Sequence, residues 1–124
     1  MIIADTSVWV DHFKAGDPEL TGLLNAEKVY GHPLIVAELA LGSLRSRDLI
    51  LDLLDDLPQA QVASTAEVRT FIEANTLFSR GIGYVDVSLL ASCLLSTDTK
   101  IWTRDKRLAR AAVDLKIGYI SHQH

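Results

Sequence analysis

Four acidic residues in this chain have sequence surroundings that could support chemistry. Asp5 directly follows the apolar segment "MIIA", and Asp105 directly follows "KIWTR", so each stands where an apolar segment gives way to a helical period. Glu38 in "LIVAELALG" and Asp86 in "GIGYVDVSLLAS" have mainly apolar neighbours three and four positions away on either side, which predicts that both lie on apolar helix faces. An unpaired carboxylate there requires a cation, a hydrogen-bonding network or contact with solvent.

Each acid taken alone also has a simpler structural interpretation. Asp5 and Asp105 stand where helix N-caps occur, Asp86 lies near a helix start, and Glu38 has Arg45 as a candidate ion-pair partner. Four acids in four separate contexts favour one shared site over four independent structural roles. Clustered carboxylates repel one another, and a bound divalent cation relieves that repulsion.

The residue types around these acids restrict the metal that they could bind. No cysteine pair or spaced histidine pair accompanies the acids: the chain has one cysteine, and its histidines are His12, His32, His122 and His124. Zinc prefers nitrogen and sulfur ligands, whereas carboxylate oxygens suit Mg²⁺, with Mn²⁺ as a possible substitute. Because Mg²⁺ often takes its remaining ligands from phosphate, the sequence indicates a substrate that carries phosphate.

Short apolar runs alternate with helical periods along the chain, which predicts a parallel sheet covered by helices. We expect one domain over residues 1–124, a three-layer α/β/α sandwich with a central parallel sheet of four to five strands. The predicted strands are residues 1–4, 28–31, 60–64, 100–104 and 118–121. In the common doubly wound strand order the first and fourth of these are neighbours, which would place Asp5 beside Asp105 at the ligand-binding edge.

The composition is that of a globular domain with a core. Of 124 residues, 48% are hydrophobic and 23% are charged, and the formal net charge of −4 disfavours a surface that binds polyanions everywhere. The single cysteine, Cys93, excludes an internal disulfide framework and fits a reducing compartment. Neither a secretory leader nor a membrane-spanning run is evident, so we expect a cytoplasmic protein. Trp9, Phe13 and Trp102 are interpreted as core residues.

Four segments together resemble PIN-domain nucleases, most closely the small VapC-type toxins of prokaryotic toxin–antitoxin pairs: "MIIADTSVWV", "VAELALG", "YVDVSLLAS" and "IWTRDKRL". The resemblance implies Mg²⁺-dependent endoribonuclease activity on RNA, with Asp5, Glu38, Asp86 and Asp105 as the acidic quartet. It also assigns supporting roles to Thr6, Ser7 and Thr103. It further implies a homodimer held inactive by a small cognate antitoxin, with DNA contacted only through that antitoxin.

Basic residues close to the acids predict how RNA approaches an acidic protein. "TRDKRLAR" supplies Arg104, Lys106, Arg107 and Arg110, and "SLRSR" supplies Arg45 and Arg47. Contacts of this kind position the phosphate backbone without reading its sequence. The alternative for each is an ordinary solvated charge on a helix.

Other functional classes fit the acids less well. A phosphoacceptor receiver domain expects an acidic pair after the first strand and an acceptor aspartate after the third, and "AQVAS" ends without an acid. A haloacid-dehalogenase-like phosphatase expects a second aspartate where Ser7 stands. An RNA-processing PIN nuclease without an antitoxin and a catalytically inactive PIN-like binding module remain alternatives.

Overall fold

Two parallel strands and seven helices make up the computed structural model, which describes residues 1–122. His124 and the end of the predicted domain lie outside the described residues. The elements are β1 (Ile2–Ala4), α1 (Thr6–Ala15), α2 (Pro18–Asn25), α3 (Pro33–Ala40), α4 (Arg47–Asp55), α5 (Thr65–Asn75), α6 (Tyr84–Leu95), β2 (Lys100–Trp102) and α7 (Lys106–Asp114). The predicted α/β class is confirmed.

The two strands pair in parallel, with Ile3 opposite Ile101. Single parallel bridges extend this pairing on both sides; they join Ile2 to Val29, Gly31 to Gln59, and Ile101 to Gly118. The bridges follow the doubly wound order expected from the sequence, in which the first and late strands are neighbours.

Three of the five predicted strands are therefore not strands in the described residues. Segments 28–31 and 118–121 contribute isolated bridges, and segment 60–64 contributes none, because the bridge lies one residue earlier at Gln59. Helices begin too soon for longer ladders to form: Pro33 opens α3, and Ser64 opens α5 with a capping box shared with Glu67. The apolar side chains of segment 60–64 are used in packing, and Ala60 and Ala63 are buried.

The helix starts follow the sequence signals closely. Asp5 caps α1, and Asp17 caps α2 with Pro18 as its first helical residue. Ser64 caps α5, which ends at Asn75 because Thr76 adopts a left-handed conformation with φ of 52°. No helix in residues 1–122 is long and apolar enough to cross a membrane.

The core lies around the paired strands, where Ile3 and Ala4 are fully buried. Trp9 and Trp102 are buried as predicted. Cys93 is buried as well, and burial raises the pKa of its thiol to about 12. Phe13 is partly buried and stacks on Trp9 with ring centroids 5.6 Å apart. These side chains stabilise the fold by removing apolar surface from water.

A buried histidine links the helix that carries Glu38 to the helix that carries Asp86. His32 is fully buried and precedes α3, where its Nδ1 accepts a hydrogen bond from the Leu34 N–H at 3.1 Å. Because Nδ1 accepts, the ring proton resides on Nε2, which donates to Ser92 Oγ on α6 at 2.9 Å. Burial lowers the pKa of His32, which keeps the imidazole neutral in this bridge.

We expect His32→Asn to make stability less sensitive to acid. The unfolded chain takes up a proton on His32 as pH falls below about 6.5, but the native state resists it, so this residue's contribution is full above that pH and is lost below it. Asparagine still caps α3 but does not titrate. Thermal melts should show a shallower fall in Tm between about pH 6.5 and 5 than in the wild type.

Ser92→Ala is the matched control, since it breaks the same hydrogen bond but keeps the imidazole. Both variants leave a buried polar group unpaired and should lose about 1 to 3 kcal/mol near neutral pH. Only His32→Asn should make the fall in Tm at acid pH shallower than in the wild type. Parallel pH curves for His32→Asn and the wild type would contradict the assignment of a neutral buried imidazole.

Candidate active site

The site is built where β1 and β2 end. The Asp5 N–H donates to the Trp102 carbonyl at 2.9 Å, which extends the strand pairing by one residue. Thr103 then lies between two acids: its hydroxyl donates to Asp5 Oδ2 and accepts the Asp105 N–H at 3.0 Å. The register of the sheet therefore connects Asp5 and Asp105 through one threonine.

Asp5 is a helix cap and also part of this cluster. It is only 5% exposed, and its Oδ1 accepts hydrogen bonds from the Ser7 hydroxyl and from the Val8 N–H at 3.3 Å. Burial raises the pKa of the Asp5 carboxyl, while the hydrogen bonds from Ser7, Thr103 and the backbone act in the opposite direction. The cap interpretation is confirmed for Asp5, and its hydrogen bonds also connect it through Thr103 to Asp105.

Asp105 is exposed at the start of α7. Its Oδ1 accepts the N–H groups of Arg107 at 2.9 Å and Leu108 at 3.0 Å. Among the hydrogen bonds of residues 1–122, none reaches its Oδ2. One carboxylate oxygen therefore caps the helix and the other remains open to a ligand.

Glu38 is exposed, so of the environments that the sequence left open for it, the structure shows contact with solvent and a hydrogen bond. The reason is that α3 ends at Ala40; Leu41, which the periodicity placed beside Glu38, is 90% exposed and covers nothing. The Thr6 hydroxyl donates to Glu38 Oε1 at 2.6 Å. In the described part of the chain Glu38 has no ion pair with Arg45, so this hydrogen bond is what orients it.

Asp86 interacts electrostatically with the other three acids. It is half-buried in the first turn of α6, where Gly83 is the cap residue. Burial raises the pKa of the Asp86 carboxyl most, and repulsion from Asp5, then from Asp105 and Glu38, raises it further against a hydrogen bond from the Gly83 N–H. Asp5, Asp105 and Glu38 are therefore each close enough to Asp86 to raise its pKa.

Comparison with known proteins identifies the fold family. The sequence profile of the PIN domain matches residues 2–114 of this chain. The chain belongs to the PIN domain family. Two curated proteins called Ribonuclease VapC32, from Mycobacterium tuberculosis strains CDC 1551 / Oshkosh and ATCC 25618 / H37Rv, are each 45% identical to it over 114 residues, which is 92% of either chain. The resemblance inferred from the four sequence segments is thereby confirmed.

The acids of this PIN domain suit a divalent cation by donor type, but they do not form a closed metal cage. Within residues 1–122, no group of three or more acidic, histidine or cysteine side chains is arranged to hold an ion as it stands. Mutual repulsion at Asp86 provides the electrostatic reason for a cation to enter, and the nearby donors are oxygens, which Mg²⁺ and Mn²⁺ accept. Mg²⁺ keeps several waters and so requires few protein ligands.

Two of the predicted RNA-binding arginines are engaged in structural contacts instead. Arg104 forms ion pairs with Asp11 at 2.7 Å and with Asp17 at 2.8 Å, and its guanidinium lies 5.7 Å from the centroid of the Trp102 ring. Arg47 donates two hydrogen bonds to the Ala40 carbonyl. Asp11 and Asp17 are distant from Arg104 in the sequence, so only the tertiary fold brings them into contact.

The other predicted basic residues line two cavities of the PIN domain. Arg45 and Lys14 line a cavity of about 690 Å³ that also includes Thr6 and Glu38. The second cavity, of about 300 Å³, is lined by Lys106, Arg107, Arg110 and Arg80. Sequence reasoning missed Arg80, which lies in the segment between α5 and α6, far along the chain from the others.

We expect Asp86→Asn to stabilise the metal-free protein near neutral pH. The folded-state pKa of Asp86 is raised above its ordinary value of 3.8, so its contribution to stability is full below that value and is lost as pH rises through the folded pKa. Asparagine removes the repulsion and should raise Tm by a few degrees in EDTA, while blunting the increase that Mg²⁺ gives the wild type.

Asp17→Asn is the control for an acid that is held in an ion pair. Asp17 is buried and pairs with Arg104. Burial acts to raise its pKa, but backbone hydrogen bonds and the Arg104 guanidinium lower it overall, so loss of its charge should reduce Tm both in EDTA and in Mg²⁺. If Asp86→Asn behaves like Asp17→Asn, then Asp86 is a structural ion-pair partner.

Proposed function

We propose that this PIN domain is a Mg²⁺-dependent endoribonuclease that acts as the toxin of a toxin–antitoxin pair, with Mn²⁺ as a possible substitute. The main support is the convergence of four carboxylates at the ends of the paired strands, where Asp86 is repelled by the other three. The two 45%-identical relatives are named ribonucleases, which favours RNA as the phosphate-bearing substrate. Cytoplasmic RNA is the expected target.

The contacts of each residue indicate its role in the proposed reaction. Asp5, Asp86 and Asp105, with Glu38, are proposed to hold one or two Mg²⁺ ions, which when bound offset charge on the phosphodiester and favour deprotonation of water. Ser7 and Thr103 fix the orientation of the Asp5 carboxylate through hydrogen bonds.

Glu38 is suited to proton transfer because it is exposed and is oriented by Thr6. We propose that it positions the attacking water or accepts its proton. Attack in line with the leaving oxygen then gives a 5′-phosphate and a 3′-hydroxyl, the products implied by the family resemblance.

The proposed architecture is a three-layer α/β/α sandwich with a central sheet of four to five strands. The single parallel bridges at Val29, Gly31 and Gly118 support it, because they continue the order of β1 and β2 on both sides. The acids then lie at the carboxyl edge of the sheet, where open parallel sheets bind ligands.

Neutral replacement of any one acid should remove most of the Mg²⁺-dependent RNA cleavage. Asp5→Asn, Glu38→Gln, Asp86→Asn and Asp105→Asn each keep the side-chain shape and remove a charge, and asparagine still caps α1 and α7. We expect each to lower the cleavage rate by roughly 100-fold or more. The assay follows a labelled RNA with Mg²⁺ and with EDTA.

Asp52→Asn, an exposed acid on α4, is the matched control and should cleave like the wild type. Circular dichroism melts establish that each variant is folded. Wild-type rates in two of the four folded variants would rule out a shared site, and a wild-type protein without Mg²⁺-dependent cleavage would favour the inactive binding module.

The proposed partners are a second copy of the chain and a small antitoxin, with DNA contacted only through the antitoxin. An exposed apolar face of α6 supports the homodimer: Leu94 and Leu95 border a cavity that Phe71 and Ala91 also line. An upstream reading frame for a small DNA-binding protein would favour the toxin over an RNA-processing nuclease.

The antitoxin should block the site with a basic side chain. Arginine is best suited, because its planar guanidinium can bind carboxylates with two parallel hydrogen bonds and thereby exclude metal or substrate. Replacing the arginines in the toxin-binding tail of the antitoxin by glutamine should restore RNA cleavage in a mixture of the two proteins. Full inhibition by an antitoxin without those arginines would refute this mode of inhibition.

A further inference from the structure

Four basic side chains converge on one cavity of about 300 Å³: Arg80, Lys106, Arg107 and Arg110. One carboxylate among the described residues pairs with this group, because Asp114 binds Arg80 at 2.8 Å and Arg110 at 3.5 Å. The pocket therefore has a local excess of positive charge in a chain whose net charge is −4. Such a local excess attracts anions in spite of the acidic surface elsewhere.

The backbone between α5 and α6 brings Arg80 to this place. Thr76, Ser79 and Gly81 have positive φ angles of 52°, 60° and 75°, so the segment turns repeatedly, and the buried Leu77 anchors it. A Cβ on Gly81 would lie 2.6 Å from Arg107 Nη1, so the Arg107 guanidinium packs directly against this turn. The pocket is formed by two segments that the fold holds together.

The pocket borders the acidic site through both of its segments. Lys106 and Arg107 follow Asp105 directly, and the Arg107 N–H is itself bonded to Asp105 Oδ1. The turn that carries Arg80 continues into Gly83, the cap residue of the helix that contains Asp86. Asp105 and Asp86 therefore each lie only a few residues along the chain from a pocket residue.

We propose that Arg80, Lys106, Arg107 and Arg110 bind a backbone phosphate of the RNA next to the one that is cleaved. This rests on the proposed ribonuclease function and adds to it a phosphate-binding pocket in which Arg80 joins three basic residues of α7. Guanidinium groups are well suited to phosphate, and contacts to the backbone place RNA without selecting its sequence. Arg104 is excluded from this role by its ion pairs with Asp11 and Asp17.

The test compares Arg80→Gln, Lys106→Gln and Arg107→Gln with controls outside the pocket. Lys100→Gln, at the opposite end of β2 from Asp105, matches the lysine change, and Arg69→Gln, exposed on α5, matches the arginine changes. Steady-state cleavage of a labelled 12-nucleotide RNA of mixed sequence is measured with Mg²⁺. Each pocket variant should raise KM by roughly fivefold or more and leave kcat within about twofold, while both controls keep wild-type values.

A second measurement does not require cleavage. Fluorescence anisotropy of the same RNA in EDTA, over a series of KCl concentrations, gives the salt dependence of Kd. Loss of one phosphate contact should reduce the slope of log Kd against log[KCl] by about 0.7. A second RNA of unrelated sequence should lose the same fraction of its affinity.

The outcomes separate this proposal from the ribonuclease assignment. A wild-type protein that does not cleave RNA, but whose salt slope still falls in the pocket variants, contradicts the ribonuclease function and supports the pocket. Normal cleavage with an unchanged KM and slope in the pocket variants overturns the pocket. Arg80→Gln loses the ion pair with Asp114 and could unfold for that reason. Lys106 has no ion pair among residues 1–122, so Lys106→Gln still tests the pocket in that case.

Discussion

The parallel pairing of β1 with β2 is the interaction on which the rest of the structure depends. Residues 2–4 pair with residues 100–102, so the two strands are far apart in the sequence. The hydrogen bond from the Asp5 N–H to the Trp102 carbonyl extends this pairing. All of these strand residues except Lys100 are buried, and a slip of one residue would move each side chain to the opposite face of the sheet, so packing fixes the register. The same slip would separate Asp5 from Thr103. The geometry of the acids is thus set by the hydrophobic core.

Two of the carboxylates that are proposed to bind metal also cap helices. Asp5 and Asp105 both accept N–H groups at the first turn of a helix, where the helix dipole favours a negative charge. The cap holds the carboxylate in one orientation without further side chains. The burial of Asp5 and the repulsion at Asp86 act against full ionisation of the cluster. The helix caps therefore hold the carboxylates in fixed orientations, and the repulsion between the acids favours binding of a cation.

Local sequence predicted the features that depend on neighbouring residues. Strand ends and helix starts at Asp5 and Asp105 follow from apolar runs and cap residues, and parallel α/β order then brings the two acids together. The exposure of Glu38 could not be predicted from periodicity, since it depends on where α3 ends. Arg80 and the ion pairs of Arg104 were missed for a related reason: turns and partners distant in sequence determine them. The strand lengths also depended on how soon the next helix begins.

The distance along the chain between the two halves of the site has a consequence for protein synthesis. Thr103 bonds to Asp5 across 98 positions, and Asp105 follows β2, so nearly every other element is made before these contacts can form. Chains emerge from the ribosome N-terminus first, and contacts between distant residues form late. While β2 is still inside the exit tunnel, the growing polypeptide lacks the bridge between its first acid and its last. The proposed nuclease site is therefore completed only after nearly the whole chain has been synthesised.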